Sequence, residues 1–319
     1  MIYSKSLSFL SLIPFIIHMG KSVLFSEGHG ESIQGRIFGP ITTLYEILKK
    51  FHYRFSYSGE IRLNRQTLRH YDLLVIYCPT SSFTQREISD IQSFISLGGR
   101  LLLIGTPNNP LASAVPARLM RVITKFIGNF MHIPNIAGKV ADCLNDLSRK
   151  FGIFFVSDWI RGGENYFSPS SESGYGNPPT RFRIPIITHF ESHPIFKKIP
   201  RFYYQGCSLA LTKEAKPLAY SDPDTRPPKA IVMATAQFGE GYVFATGSPL
   251  MFSDYYVPEL GIRCPFHAQL ALNIFTWLTR KGRYEPSYEK PSLNEKVCPL
   301  CGYRNSRTQY FCEKCGNAI

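Results

Sequence analysis

The chain has 319 residues, 44% of them hydrophobic and 18% charged, and carries a formal net charge of +13. Such a length can bury a full core, and such a balance excludes an intrinsically disordered chain. The basic excess draws a protein toward polyanions without fixing its fold.

In chain order, Lys5 and the apolar run Leu7 to Ile17 resemble a weak signal peptide. The run is too short to span a bilayer, and no small-residue cleavage site follows it. Residues 1–18 are therefore read as an apolar extension, with Met19 as an alternative start and a short membrane anchor as the competing reading. Ser22 to Phe25 predict a first buried strand, which runs into Ser26-Glu27-Gly28-His29-Gly30. Glycines directly after such a strand permit a tight turn and a ligand close to the backbone. Pro40 suits a first helical position, and Ile41, Leu44, Leu48 and Phe51 share one helical face. Arg54 to Tyr57 read as a second strand, and Leu63 to Leu68 as a linking turn or short helix.

The clearest unit runs from Asp72 to Gly105. Two unbroken apolar runs, Leu73–Tyr77 and Leu101–Ile104, suit strands buried on both faces of a parallel sheet. Between them Thr84 and Glu87 form a capping box, Ile88, Ile91 and Ile95 recur at helical spacing, and Gly98-Gly99 ends the helix. This is a βαβ unit.

Thr106 to Pro110 read as a loop, and Pro116 opens a helix with Arg118, Arg121 and Lys125 opposite its apolar side. From Ile91 to Ala141 there is no acidic residue, which predicts a solvated basic face ahead of a nucleic-acid or lipid site. Val140 to Lys150 predict a helix ending near Gly152, and Ile153 to Val156 a strand. Gly162 to Pro179 read as a long mobile loop. Short strands follow at Ser208–Leu211, Leu218–Tyr220, Ile231–Phe238 and Tyr242–Thr246, the last two joined through Gly239-Glu240-Gly241 as a hairpin. His267 to Leu278 form the final helix, and residues 280–297 read as a charged, proline-containing tether.

The eight cysteines divide in two. Cys78, Cys143, Cys207 and Cys264 are scattered in apolar or helical contexts, which points to a reducing compartment and a cytoplasmic location. Cys298, Cys301, Cys312 and Cys315 form two Cys-x-x-Cys-Gly knuckles, with ten residues between Cys301 and Cys312. Each knuckle aims two thiolates at one ion, and two knuckles complete the closed four-thiolate geometry of structural zinc. A module as short as residues 298–319 cannot bury enough apolar surface to fold alone, so Zn2+ would supply its folding energy. It resembles the short zinc ribbons appended to many prokaryotic proteins.

The order of strands and glycines over residues 22–278, with Glu27-Gly28-His29-Gly30, Phe83-Thr84, Phe94-Ile95, His193-Pro194 and Gly247-Ser248-Pro249, resembles the glutamine-amidotransferase-like domains of flavodoxin type. The nearest subgroup is the uncharacterised and intraflagellar-transport-related one, many of whose members are non-catalytic. The resemblance implies an α/β fold, a mainly parallel sheet with helices on both faces, over residues 19–279, followed by the tether and the ribbon. In that family the nucleophile sits on a Gly-x-Cys-x-Gly elbow. The corresponding turn, Gly105-Thr106-Pro107-Asn108-Asn109, has no cysteine, and His193-Pro194 is followed by Ile195 where the catalytic pair is followed by an acid.

Strand-end polar residues are the candidate crevice: Glu27, Gly28, His29, Thr80, Ser81, Ser82, Thr106, Asn108 and Asp254. The leading expectation is a non-catalytic binding or assembly protein with a protein partner and without stable membrane insertion. One rival is a hydrolase or transferase on a small polar substrate such as a sugar, using Glu27 and His29 as an acid–base pair. The other is a nucleic-acid-associated factor binding without sequence preference.

Overall fold

The computed structural model describes residues 21–31, 40–59, 63–108, 139–164, 166–167, 183–212, 215–255, 257–280, 295–297, 304–311 and 313. The basic helix expected after Pro116, the apolar extension of residues 1–18 and all four knuckle cysteines lie outside them. Among the described residues no helix is long and apolar enough to cross a membrane.

The first half is built as its sequence dictates. Strand β1 (Ser22–Phe25) pairs in parallel with β2 (Arg54–Tyr57) and β3 (Leu73–Tyr77), and β3 with β4 (Arg100–Ile104). Every residue of β1, β3 and β4 is buried, as strands covered on both faces require. Helix α1 (Thr42–Lys50) buries Leu44 and Leu48, and α2 (Arg65–Leu68) is a single turn capped by Asn64. Helix α3 (Gln85–Ser96) carries the reciprocal Thr84–Glu87 capping box, and Gly98 leaves it at a φ of 106°.

Phe51 departs from its expected place: it is 53% exposed, because α1 ends at Lys50 and the chain turns before the periodic face reaches it. Helix α4 (Val140–Ser148) passes through a 3-10 turn into Gly152 and then β5 (Ile153–Phe155). The stretch expected to be a long loop contains β6 (Tyr166–Phe167), which pairs with β7 (Ile184–Ile187). Short strands β8 (His189–Phe190) and β9 (Phe202–Tyr203) follow, and β7 pairs with β9.

The sheet then changes character. Strands β10 (Leu209–Leu211), β11 (Lys216–Tyr220), β12 (Ile231–Phe238) and β13 (Gly241–Thr246) complete a sheet of ten described strands, with the order β2-β1-β3-β4-β13-β12-β10-β5, β11 branching from β12 and β8 pairing with β11. Pairing is parallel from β2 to β13 and antiparallel beyond it. The central sheet is thus largely parallel, as expected, with antiparallel strands added on one side of it. A connection as short as Gly239-Glu240 can only return the chain antiparallel, so the switch occurs at that hairpin.

Helix α5 (Pro265–Leu278) lays Trp277 on Tyr242 and Phe244. Helix α3 backs onto Gly241, where a Cβ would collide with the Ile95 carbonyl oxygen. Alternate positions of a strand face opposite ways, so helices cover both faces. Beyond the body, β14 (Glu295–Val297) begins inside the stretch read as a tether and pairs antiparallel with β15 (Arg304–Ser306).

Candidate functional site

The carboxyl ends of β1, β3, β4 and β13 meet on one side of the sheet, where α/β folds place their ligands. The loop after β1 is closed by a residue that the sequence reading passed over. The Glu31 carboxylate accepts a 2.7 Å hydrogen bond from the His29 N–H and another from the Ser26 hydroxyl. The His29 ring is buried, stacked on Phe83 at 4.0 Å between centroids, with Nε2 3.4 Å from Glu87 Oε2 and Nδ1 3.8 Å from Glu31 Oε1. Its carbonyl accepts from the N–H groups of Thr80 (2.8 Å) and Ser81 (3.1 Å), so the β1 and β3 loops are tied through backbone. Gly30 is required there: its φ is +71°, and a Cβ would collide with Thr80 Oγ1.

The expected Glu27–His29 pair is therefore replaced by His29 between Glu31 and Glu87. Glu27 lies instead beside Tyr45 and Tyr57, whose phenols burial raises above their ordinary pKa, with the Glu27 charge adding to the shift. Glu87 serves two partners at once. Burial pushes its carboxyl up, but the N–H and hydroxyl of Thr84, with His29 beside them, outweigh that and hold it below its ordinary value.

The other candidates are engaged in structure. The Asp254 carboxylate accepts from the Thr43 N–H at 3.0 Å and from the Thr43 hydroxyl, supplying the cap that α1 lacks locally, and lies 3.4 Å from Arg263 Nε. Asn108 Oδ1 accepts from the Asp142 N–H in the first turn of α4. Thr106 is buried, and Ser82 approaches the Cys143 thiol at 4.0 Å. His267, expected near a helix start, is fully buried, accepting from the Tyr203 N–H and bonded to the Gly261 carbonyl.

Cys78 closes β3 at a φ of 50°, uncommon for a non-glycine residue. Burial pushes its thiol well above the ordinary value, and the neighbouring Cys207 and Glu31 add to the shift. Such a group stays protonated, whereas a nucleophilic cysteine needs its thiolate. No group of three or more metal-binding side chains occurs among the described residues.

Three solved structures share this architecture. The mmIFT52 N-terminal domain aligns with a TM-score of 0.58 at 17% identity, covering 81% of this chain and 97% of that one. Two Salmonella typhimurium proteins, described as cytoplasmic proteins STM3548 and STM1381, each align with a TM-score of 0.50. Their identities are 13% and 12%, covering 81% of this chain and 98% and 99% of theirs. At such identities the likeness shows the fold alone, and it bears out the amidotransferase-like, intraflagellar-transport-like α/β fold. No curated protein sequence matches the chain. A family profile matches residues 20–242, most of the α/β body, and on that match the chain belongs to the family described as ABC-type uncharacterized transport system.

Proposed function

We propose that the protein is a non-catalytic binding component of an ABC-type transport assembly, with its α/β body as the docking scaffold. The observation that carries this reading is the state of the carboxyl-end crevice. Glu31, Glu87, His29, Asp254 and Asn108 are bonded to one another or to helix ends and loops. The carboxylates of Glu31 and Glu87 are spent on backbone N–H, hydroxyl and ring partners, and His29 Nδ1, which has no hydrogen-bond partner, is buried, so neither is placed as an acid–base pair open to a substrate. The family description makes the membrane-embedded and ATP-binding subunits of such a transporter the partners to test first.

The tail supports a structural metal. Cys298 and Cys301 fall in sequence between the paired strands β14 and β15. The Asn305 side chain of β15 accepts a 2.9 Å hydrogen bond from the N–H of Glu313, which lies between Cys312 and Cys315 in sequence. That bond ties the segment between Cys312 and Cys315 in sequence to β15, and Zn2+ held by the four thiolates would close the module as a structural site.

Co-expression with the membrane and ATP-binding subunits, followed by detergent extraction and purification on a tag carried by this chain, should recover a stoichiometric complex. Free chain alone would sink the transport reading. Hydrolysis of glutamine or a nitrophenyl glycoside that disappears in Glu27→Gln would sink the non-catalytic one. Metal analysis of the full chain should find one zinc per chain, lost in a Cys301→Ser, Cys312→Ser variant; a zinc-free, fully ordered tail would refute the metal.

A further inference from the structure

At the opposite end of the sheet from the crevice lies a cavity of about 710 Å³ that none of the crevice candidates lines, though His193 and Pro194 do. Its floor follows from register. Arg100 of β4 pairs with Tyr242 of β13, Phe244 of β13 with Thr235 of β12, and Thr235 with Lys216 of β11. Directly paired residues share a sheet face, and Tyr242 and Phe244 share one by alternation. Arg100, Tyr242, Thr235 and Lys216 therefore continue the face that α5 covers. The helix ends at Leu278, and Trp277 and Arg280 form the wall where cover stops.

The charge of this cavity is unbalanced. Arg100, Lys216 and Arg280 line it against a single carboxylate, Glu191, which already accepts from the Tyr220 hydroxyl at 3.0 Å. Burial lowers the His193 pKa, so that ring is neutral at pH 7 and adds no cation. Arg100 is 5% exposed and makes no ion pair among the described residues, although the charges of Asp72 and Glu240 reach it from outside the cavity lining. Its Nη1 donates to the carbonyls of Gly98, Gly99 and Glu240, leaving Nη2 and Nε without an acceptor among the described residues. A buried guanidinium offering two donors on one edge is suited to an oxyanion. At the partial negative end of α5 the N–H groups of Thr279 and Arg280 satisfy the Phe275 and Trp277 carbonyls, which weakens its opposition to an anion. Beside the cations stand two aromatic rings, Tyr242, with the Arg100 guanidinium 5.2 Å from its centroid, and Trp277, set edge-on to it at 5.6 Å and half-buried at the cavity wall.

We infer that this cavity binds a small phosphorylated molecule with a planar ring, of the nucleoside monophosphate class. Arg100, Lys216 and Arg280 hold the phosphate, and Trp277, backed by Tyr242, receives the ring. The inference is independent of the partner reading, since the cavity lies away from the carboxyl-end crevice and a ligand titration needs no partner.

The test is titration of the full chain with adenosine monophosphate, by calorimetry and by the emission of Trp277, one of two tryptophans. The expected dissociation constant is below about 1 mM. Lys216→Glu combined with Arg280→Glu, both at exposed positions, should weaken binding at least tenfold. Arg86→Glu, exposed on α3 near the other end of the sheet, should leave it unchanged. These variants avoid Arg100, whose carbonyl bonds make it part of the fold. Absence of binding, or equal loss in Arg86→Glu, overturns the proposal. Inorganic phosphate or adenosine alone binding as tightly as the whole probe overturns it too, since each tests half of the site.

Discussion

The two ends of the sheet use polar residues in opposite ways. On the carboxyl side, His29 sits between two carboxylates, Asp254 caps a helix 211 residues away in sequence, and His267 bridges Tyr203 and Gly261. On the amino side, Arg100, Lys216 and Arg280 face one another across a cavity with one engaged carboxylate. Buried polar groups that satisfy one another rigidify a fold; unmatched charge left at an opening is free for a partner. Position in the fold alone points to the first end as the site, whereas the state of the side chains points to the second.

The sharpest test of the filled end is acid. Burial holds the His267 imidazole at about 4, below its ordinary 6.5, although backbone bonds at Gly261, Leu260 and Tyr203 oppose the shift. As pH falls below 6.5 the unfolded chain takes up this proton first, so the contribution is fully present above 6.5 and is lost on the way down to about 4. The loss amounts to about 3 kcal/mol. Urea midpoints at pH 7 and pH 4.5 should show it, and His267→Gln should be less stable at pH 7 but flatter in acid. An unchanged acid limb in that variant would mean that His267 is not the neutral, doubly bonded group described here.

Asp254 gives the next effect. Asp254→Ala removes the only side-chain cap of α1 among the described residues together with the Arg263 contact, and should cost about 1–2 kcal/mol in urea unfolding. A ligand-binding aspartate in an open crevice would show no such cost, so a neutral result would reopen that end as a site.

Glu87 is smaller and again pH-dependent. Its folded carboxyl lies below its ordinary 4.5, so its contribution is present above that value and is lost as pH falls through the folded one. Glutamine can still complete a capping box. Glu87→Gln should therefore cost only about 0.5 kcal/mol at pH 7 and remove that part of the acid dependence. Collapse at pH 7 would show that the His29–Glu87 contact, not the cap, is what matters.

Much of this architecture is written locally. Unbroken apolar runs gave away β3 and β4, Thr84 and Glu87 the start of α3, and Gly98-Gly99 its end, because each signal lies within one turn or one strand. Strands β6 to β9 did not announce themselves: two to four residues each, they exist through pairing with distant partners. The Glu31 latch was missed although Glu31 stands two residues from His29, since nothing in a glycine-rich loop says which carboxylate folds back. The amino-end cavity had no local signal at all. Arg100, Tyr242, Lys216 and Trp277 come from four elements, and only register and the end of α5 bring them together.

The smallest stability effect belongs to the open end, and it is the one that separates the two regions most directly. Lys216 and Arg280 are exposed, and neither makes an ion pair among the described residues. Their ammonium and guanidinium groups repel each other and Arg100 in a chain of net charge +13. Lys216→Ala and Arg280→Ala should therefore shift unfolding by no more than about 0.5 kcal/mol, with a gain as reasonable as a loss. The same variants should weaken the chain's adherence to polyanions. Binding to mixed-sequence DNA should be indifferent to sequence and fall steeply as salt rises, because it is carried by counterion release. Filter binding across a salt series should show a shallower slope in the double variant. A cost above about 2 kcal/mol in either single variant would mean these cations are structural, like the histidines at the other end.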